Sequence, residues 1–314
     1  MIFLIQYFTW PKYYIILILK GVFNISATVF QLGIIIVILS LVIGFIGGGG
    51  NILVLIHPFE ALIILGTAIG SFIISNSKTS LTLAFTNIHK VTKREPYSKE
   101  DYVELLSFLF NLLKYSKSNS KMDLETQIEY PEKSFLFKRF KKIFDDKQVT
   151  TFISDYMRLI VLGFENPYEL QQMMEDELFE KKIQGQNLAS CFNRLGDSLP
   201  GLGIIAAVLG VINAMASIAA DPSVLGRKIA AALIGTFLGV FLSYGIISPI
   251  GAFFEGYTNE EVKFLECIKA AIVSHAKGHP PTISIECARQ IIPDHLKPSF
   301  IELEKSLKKN LIVR

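Results

Sequence analysis

The sequence predicts an all-α, polytopic membrane protein with four transmembrane helices and a helical cytoplasmic domain. Of its 314 residues, 51% are hydrophobic and only 19% are charged, against about 25% in an average soluble domain. The mean hydropathy is +0.43, and the apolar residues lie in four charge-poor segments. The remaining segments show helical spacing and no strand alternation. The composition excludes a disordered chain, and a net charge of +3 gives no basic tail for nucleic acid.

The first predicted pair of spans lies in a transmembrane hairpin, residues 31–75. Leu32–Ile46 is uncharged and, with its flanks, reaches the ~20 residues that a helical span needs. Phe59–Ser75 is shorter and starts beside Glu60. It spans only if its ends use interfacial residues, or if Glu60 lies at a headgroup or against protein. Gly47–Pro58 is predicted to form a tight turn between the two spans.

The second predicted hairpin, residues 199–254, contains two longer uncharged spans, Leu199–Ala220 and Ile229–Phe254, joined by Asp221–Lys228. Small residues recur every four positions on each span and allow another helix to approach closely. They are Ala206, Gly210 and Ala214 in the third span, and Ala231, Gly235, Gly239 and Ser243 in the fourth. Packing of the two spans on each other explains these faces, and so does assembly with another subunit.

These two spans contain no ionisable side chain, although proton and cation relays through a membrane nearly always use one. If ions move along these helices, the carrier group therefore belongs to another subunit. The polar side chains that remain in the spans are Asn213, Ser217, Thr236, Ser243 and Tyr244.

Two prolines lie at the same edge of the predicted membrane region. Pro200 follows Asp197 and Ser198, and this order predicts a cap with proline near the first helical position. Pro249 falls late in the fourth span, where it removes a backbone hydrogen bond and is predicted to kink or weaken the last turns.

The polar residues are concentrated in a cytoplasmic helical domain, residues 76–198, and a C-terminal tail, residues 255–314. They hold 18 and 9 of the 31 Lys and Arg residues. Basic residues just after the second and fourth spans, such as Lys78 and Lys263, place both segments in the cytoplasm. Amphipathic helices, interrupted at Gly163 and Pro167, are predicted over Lys99–Lys114, Phe152–Leu162 and Leu170–Ile183.

Residues 1–30 are interpreted as an N-terminal extension, either interfacial or not native, because their apolar run is too short for a span. A metal site is not predicted, since Gly278 and Pro280 interrupt the helix on which His275 and His279 would pair. Neither a nucleophile–base arrangement nor a phosphate-binding loop is recognisable. The sequence therefore predicts no enzyme and no cofactor.

Long motifs in three spans and the tail resemble the MotA family, the A subunit of the bacterial flagellar stator. The similarity covers roughly Leu32 to Glu304, in matching order. The motifs are GDSLPGLGIIAAVLGV (196–211), GTFLG (235–239), YGIISP (244–249), EALIILGTAIGSF (60–72) and PSFIELE (298–304).

The resemblance implies a mechanism and a set of partners. Five A subunits would surround two B subunits, whose membrane helices carry the essential Asp. Ions crossing between A and B, in the bacterial inner membrane, would drive rotation of the A ring, and its cytoplasmic domain would act on the rotor switch ring. The transported ion would then be the only small species that the protein handles.

The resemblance also assigns roles to single residues. Pro200 and Pro249 match the family prolines tied to coupling, and Thr236 matches a hydroxyl that lines the ion path. Tyr244, which opens the fourth-span motif, belongs with these channel and coupling residues. Ala207 stands where sodium-driven members tend to have Thr, and its methyl group offers sodium no oxygen ligand, which favours the proton.

Lys117 and Glu125 fall at the positions of the rotor-contacting Arg and Glu of the family, although solvated surface charges would look the same. Lys in place of Arg keeps the charge but loses the planar fork. Two alternatives to the stator stay open. One is an ExbB/TolQ-type proton-channel subunit, energising outer-membrane transport or integrity and typically built with three spans. The other is a non-conducting membrane scaffold.

Overall fold

The computed structural model is helical in all its regular structure, within the residues that it describes. These are residues 29–88, 91, 97–164, 166–219 and 221–311. Four helices are long and apolar enough to cross a membrane. The predicted all-α class with four spans is therefore confirmed, and the chain is a multi-pass membrane protein. The extension predicted for residues 1–30 lies outside the described residues as far as residue 28.

The described residues form thirteen α-helices, and a five-residue π turn separates two of them. In chain order the helices are α1 (Val29–Gly47), α2 (Pro58–Ser75), α3 (Lys78–Asn87), α4 (Lys99–Ser118), α5 (Lys121–Glu129), α6 (Phe135–Arg139), α7 (Lys141–Asp145), α8 (Lys147–Val161), α9 (Pro167–Met215), α10 (Pro222–Leu242), the π turn (Ser243–Ile247), α11 (Ser248–Ala276), α12 (Pro281–Ile291) and α13 (Phe300–Lys309).

The chain divides into two compact units. The membrane unit comprises Met1–Glu95 and Gln186–Glu255, and the polar unit comprises Pro96–Gly185 and Gly256–Arg314. Four spans, together with the short α3, make up the described part of the membrane unit. The polar unit contains α4 to α8, α12, α13 and the polar ends of α9 and α11.

The position of Glu60 explains how α2 tolerates an acid. Glu60 lies in the first turn of α2, half-buried, and its carboxylate is 3.6 Å from Nδ1 of His57. The positive end of a helix dipole favours an acid at this place. The acid therefore lies at the edge of the span and leaves the following residues uncharged.

The third and fourth membrane helices are much longer than the sequence predicted. α9 has 49 residues, so Leu170–Ile183 and the third span are one helix, and Pro200 lies inside it. The prediction that Pro200 opens a helix is wrong. Buried Leu188, Phe192 and Leu199 continue the helical spacing through the polar stretch before Pro200. The fourth span likewise continues beyond Phe254, as α11.

The polar unit is built around α4. Leu105, Leu109 and Leu112 of α4 are fully buried, together with Ile268 and Ile272 of α11. The predicted interruption after the second amphipathic segment is confirmed: two residues beyond the end of α8 the backbone is left-handed (Gly163, φ +90°), and the next helix starts at a proline.

Serine caps set four helix starts in the polar unit. A serine hydroxyl accepts a hydrogen bond from the backbone N–H three residues later, which satisfies a free donor of the first turn. The pairs are Ser98 with Asp101, Ser120 with Asp123, Ser134 with Phe137 and Ser299 with Glu302.

Candidate functional site

The contact between α9 and α10 is made by small residues. A Cβ on Gly239 would lie 2.7 Å from the Leu199 carbonyl oxygen, and a Cβ on Gly210 would lie 2.8 Å from the Cβ of Ala232. A Cβ on Gly203 would lie 2.9 Å from the backbone oxygen of Gly235. Only glycine allows backbones to approach so closely. For these residues, packing of the two spans on each other is confirmed.

A side chain of the π turn compensates for Pro200. Pro200 has no N–H, so the carbonyl of Gly196, four residues earlier, lacks its helical donor. The hydroxyl of Ser243 donates a 2.7 Å hydrogen bond to this carbonyl oxygen, and Ser243 is fully buried. Gly196 allows α9 to lie this close to the π turn and the start of α11, because a Cβ at residue 196 would be 2.6 Å from Oγ of Ser248. The helix therefore continues through Pro200 without an orphaned carbonyl.

The π turn also alters the backbone next to Pro249. The N–H of Ser248 donates to the carbonyl oxygen of Ser243, five residues back, which is the π pattern. Pro249 follows directly and is exposed. The backbone of the fourth span is therefore irregular before Pro249, as a π turn, and a 29-residue helix that contains Pro249 follows.

The other predicted channel residues flank this helix pair. Ala207 and Thr236 are half-buried, and each directly follows a residue of the Ala206–Gly235 contact. Tyr244 is 69% exposed. Within the described residues, the hydroxyls of Thr236 and Tyr244 have no hydrogen-bond partner. Both therefore remain available to another molecule.

At the other end of these helices, Lys228 contacts Asn213 and Ser217, which the sequence did not predict. The sequence predicts Lys228 in the loop between the spans, but α10 begins at Pro222 and includes it. Nζ of Lys228 donates to Oγ of Ser217 and, at 3.3 Å, to the carbonyl oxygen of Asn213. A cation at these last carbonyls stabilises the negative end of α9. Three polar residues at the ends of two adjacent spans were the signal that could have revealed it.

The predicted rotor-contact residues lie in the polar unit. Lys117, in the last turn of α4, is exposed, and its Nζ donates to the Gly278 carbonyl oxygen at 3.2 Å. Glu125 is exposed on α5. No hydrogen bond or ion pair joins these two described residues. Both charges face solvent, but the structure does not bring them together.

The two histidines considered for a metal site are held by different serines. Nε2 of His275 is 3.2 Å from Oγ of Ser116, and Nδ1 of His279 is 3.0 Å from Oγ of Ser274. The part of the chain that the structure describes contains no group of three His, Cys, Asp or Glu side chains able to hold a metal ion.

Two family profiles match the chain. The profile described as "Motility protein A N-terminal" matches residues 31–120, and the one described as "MotA/TolQ/ExbB proton channel family" matches residues 129–267. Together with the four apolar helices, they define the class of the protein: a multi-pass subunit of a proton channel family.

Curated relatives and solved structures narrow this class. Motility protein A of Salmonella typhimurium is 35% identical over 277 residues, which cover 88% of this chain and 94% of the relative. Chemotaxis protein LafT of Vibrio parahaemolyticus is 32% identical over 278 residues, 88% of this chain and 97% of the relative. The fold is similar to that in the structure of C. jejuni MotAB (TM-score 0.73, 22% identity), over 87% of this chain and 99% of that one.

This chain belongs to the motility protein A family. It is a stator subunit of the flagellar motor, and this interpretation is confirmed over the ExbB/TolQ-type alternative, because the N-terminal profile and the curated relatives are those of motility proteins. The family consists of channel subunits and not of enzymes.

Proposed function

We propose that this chain conducts protons together with a B subunit, whose membrane helix supplies the acidic group, and converts their flow into torque. Solved structures with this fold are those of C. jejuni MotAB and of a flagellar MotAB stator complex from Bacillus subtilis. The observation that carries the proposal is the surface of residues 199–254. Its charged side chains, Asp221, Arg227 and Lys228, lie at one end, and the hydroxyls of Thr236 and Tyr244 have no partner among the described residues.

Thr236 and Tyr244 are the polar groups of this surface. A polar group in hydrocarbon is costly without a hydrogen-bond partner, and neither hydroxyl has one among the described residues. A partner helix with a carboxyl group would satisfy the hydroxyls. It would also bring an acidic group to spans that have none, since Asp221, Arg227 and Lys228 all lie at the loop end of residues 199–254. The acidic residue of a B subunit fits this need.

The choice of ion rests on oxygen ligands. Hard cations bind to several oxygen atoms, whereas Ala207, beside the Ala206–Gly235 contact, presents only a methyl group. A single threonine hydroxyl next to a carboxyl group is sufficient for proton transfer and insufficient to replace the hydration shell of sodium. The ion in this proposal is therefore the proton.

The polar unit would act on the rotor switch-ring protein from the cytoplasm. Basic residues after the spans support a cytoplasmic position in the inner membrane. Lys117 and Glu125 are exposed, as contacts to a partner require. In line with the family resemblance, we include five copies of this chain around the B subunits in the proposal.

Substitution of Thr236 tests the ion path. A strain without its own stators should assemble filaments and not rotate them, and this chain with its B subunit should restore rotation that does not depend on sodium. Thr236→Val keeps the shape, removes the hydroxyl and should reduce swimming speed. Thr67→Val is the matched control, because Oγ1 of Thr67 already bonds to the Ile63 carbonyl oxygen at 2.6 Å. Equal speeds for the two variants would contradict the role of Thr236.

Charge reversal tests the rotor contact. Lys117→Glu and Glu125→Lys should each lower torque while membrane assembly stays intact, and Lys182→Glu, at another exposed position of the polar unit, should not. Torque is measured on tethered cells, and assembly by co-purification with the B subunit. Loss of co-purification in the Lys117 and Glu125 variants would contradict a role limited to the rotor.

A further inference from the structure

A cavity of about 300 Å³ lies within the membrane unit. Its walls come from α2, α3, α9, the end of α10 and the π turn, and every lining residue is apolar. Ala68, Phe72, Ala84, Phe192 and Leu242 are among them. Apolar cavities stay dry and bind apolar molecules. The occupant must therefore be a hydrocarbon group.

The opening of the cavity favours an acyl chain. Two wall residues are largely exposed, Phe85 at 70% and Ile73 at 54%, so the cavity opens at the surface of the membrane unit. A flexible chain from the bilayer can enter there.

Two cations lie at the basic end of the cavity. Nη2 of Arg194 donates to Oδ1 of Asn76 at 2.8 Å, and Nδ2 of Asn76 donates to the carbonyl oxygen of Phe72, a wall residue, at 2.8 Å. Lys78 follows Asn76 by two positions and is exposed. Among the described residues, no carboxylate lies within ion-pair distance of Arg194 or Lys78.

We propose that the cavity binds one acyl chain of an anionic phospholipid, whose phosphate lies against Arg194 and Lys78. Arginine recognises phosphate through its planar fork, and basic residues at a membrane surface attract anionic lipids. The lipid would fill the space between α2, α3 and α9. The proposal does not depend on ion conduction, because lipid binding is measured without it.

Photolabelling of the intact protein tests the proposal directly. The full chain with its B subunit is placed in nanodiscs with phosphatidylglycerol that carries a diazirine on one acyl chain. After irradiation, the label should map to the cavity segments of α2, α3 and α9. Unlabelled phosphatidylglycerol should compete about thirtyfold better than phosphatidylcholine, the factor that corresponds to ~1 kcal/mol for each of two basic residues at an anionic surface.

Matched variants separate the two parts of the site. Ala84→Phe fills the cavity and should abolish labelling, whereas Ile74→Phe, on the outer face of α2 where Ile74 is 88% exposed, should not. Arg194→Gln should lower the preference for phosphatidylglycerol to about fivefold, because Lys78 remains, whereas Arg227→Gln, at the opposite end of the spans, should leave it unchanged.

Three results would overturn the proposal. The first is labelling that is spread evenly over all exposed apolar helices, and the second is labelling that Ala84→Phe leaves unchanged. The third is labelling of the isolated chain that disappears in the assembled complex, which would mean that a second protein chain fills the cavity. If Ala84→Phe does not fold, the competition measured on the unaltered protein decides.

Discussion

Removal of the Ser243 hydroxyl tests how a proline is accommodated inside α9. Ser243→Ala changes one buried oxygen atom and removes the 2.7 Å hydrogen bond to the Gly196 carbonyl oxygen. That carbonyl has no helical donor, because residue 200 is proline. The variant should therefore leave it without a partner inside the membrane unit.

The expected cost follows from the burial of this hydrogen bond. Between membrane helices such bonds contribute about 0.6 kcal/mol on average and up to about 1.7 kcal/mol, and an unsatisfied buried acceptor costs about 1–3 kcal/mol. Because Ser243 is fully buried and the carbonyl has no other donor, we expect a loss of about 1.5 kcal/mol in the free energy of unfolding.

A double-mutant cycle isolates the cause. Pro200→Ala restores an N–H that can bond to the Gly196 carbonyl, so in this background Ser243→Ala should cost only about 0.5 kcal/mol, leaving a coupling energy of about 1 kcal/mol. Reversible unfolding of the full chain in mixed micelles measures all four variants. Stability is the readout here, because Pro200 is itself a predicted coupling residue.

Ser198→Ala is the matched control. Its hydroxyl donates to the Leu195 carbonyl oxygen at 2.8 Å, in the same region of α9, but that carbonyl also has the N–H of Leu199 as its helical donor. The control should cost less than Ser243→Ala. Equal costs for Ser243→Ala with and without Pro200 would refute the explanation, since the hydroxyl would then not be compensating for the proline.

Two further predictions concern other parts of the molecule. Gly239→Ala should destabilise the membrane unit by about 1–3 kcal/mol, because a Cβ there would lie 2.7 Å from a backbone oxygen, whereas Gly201→Ala, with open space at its Cβ, should be neutral or stabilising in the same unfolding assay. The second prediction concerns the stability of the polar unit at acidic pH. The Ser299 backbone N–H and then Lys99 lower the pKa of Glu302 to about 2, below its ordinary value of 4.5, so this carboxylate stabilises the fold above about pH 4.5 and its contribution is lost as the pH falls towards 2. Lys99→Met should raise the carboxyl pKa measured by NMR, and an unchanged value would contradict the contact.

The four spans and the helical class could be predicted because they depend on composition and periodicity alone. Uncharged apolar segments of sufficient length determine a span wherever they occur. Where a helix ends depends on whether tertiary contacts outweigh the local signals in the sequence. The prediction for Pro200 is wrong for this reason, since Pro200, after Asp197 and Ser198, has the pattern of a helix start. The carbonyl that makes a proline costly inside a helix is satisfied by a residue 47 positions away from Gly196, and spacing along the chain cannot reveal such a partner.

The sequence predicts only part of the candidate site, because the rest depends on contacts between residues that are far apart along the chain. The absence of ionisable side chains and the small-residue faces could be read from the spans, whereas the choice between the two explanations of those faces required the contacts of Gly210 and Gly239. The sequence predicts Lys228 as the last residue of the loop, because the uncharged fourth span starts at Ile229. The structure places its long side chain at the end of α9, where the carbonyls of the last turn accept it.

Ser243 connects the two prolines that the family resemblance ties to coupling. Its hydroxyl satisfies the carbonyl that Pro200 leaves without a donor, and its own carbonyl accepts the N–H that closes the π turn before Pro249. A change in the bend of α9 at Pro200 would lengthen or break the first bond and so shift the residue on which the π turn depends. A π turn and a proline are both places where a helix bends at low cost. Each of the two membrane helices therefore has one such place, and buried Ser243 is hydrogen-bonded at both. Bending at one of these points should therefore be accompanied by bending at the other.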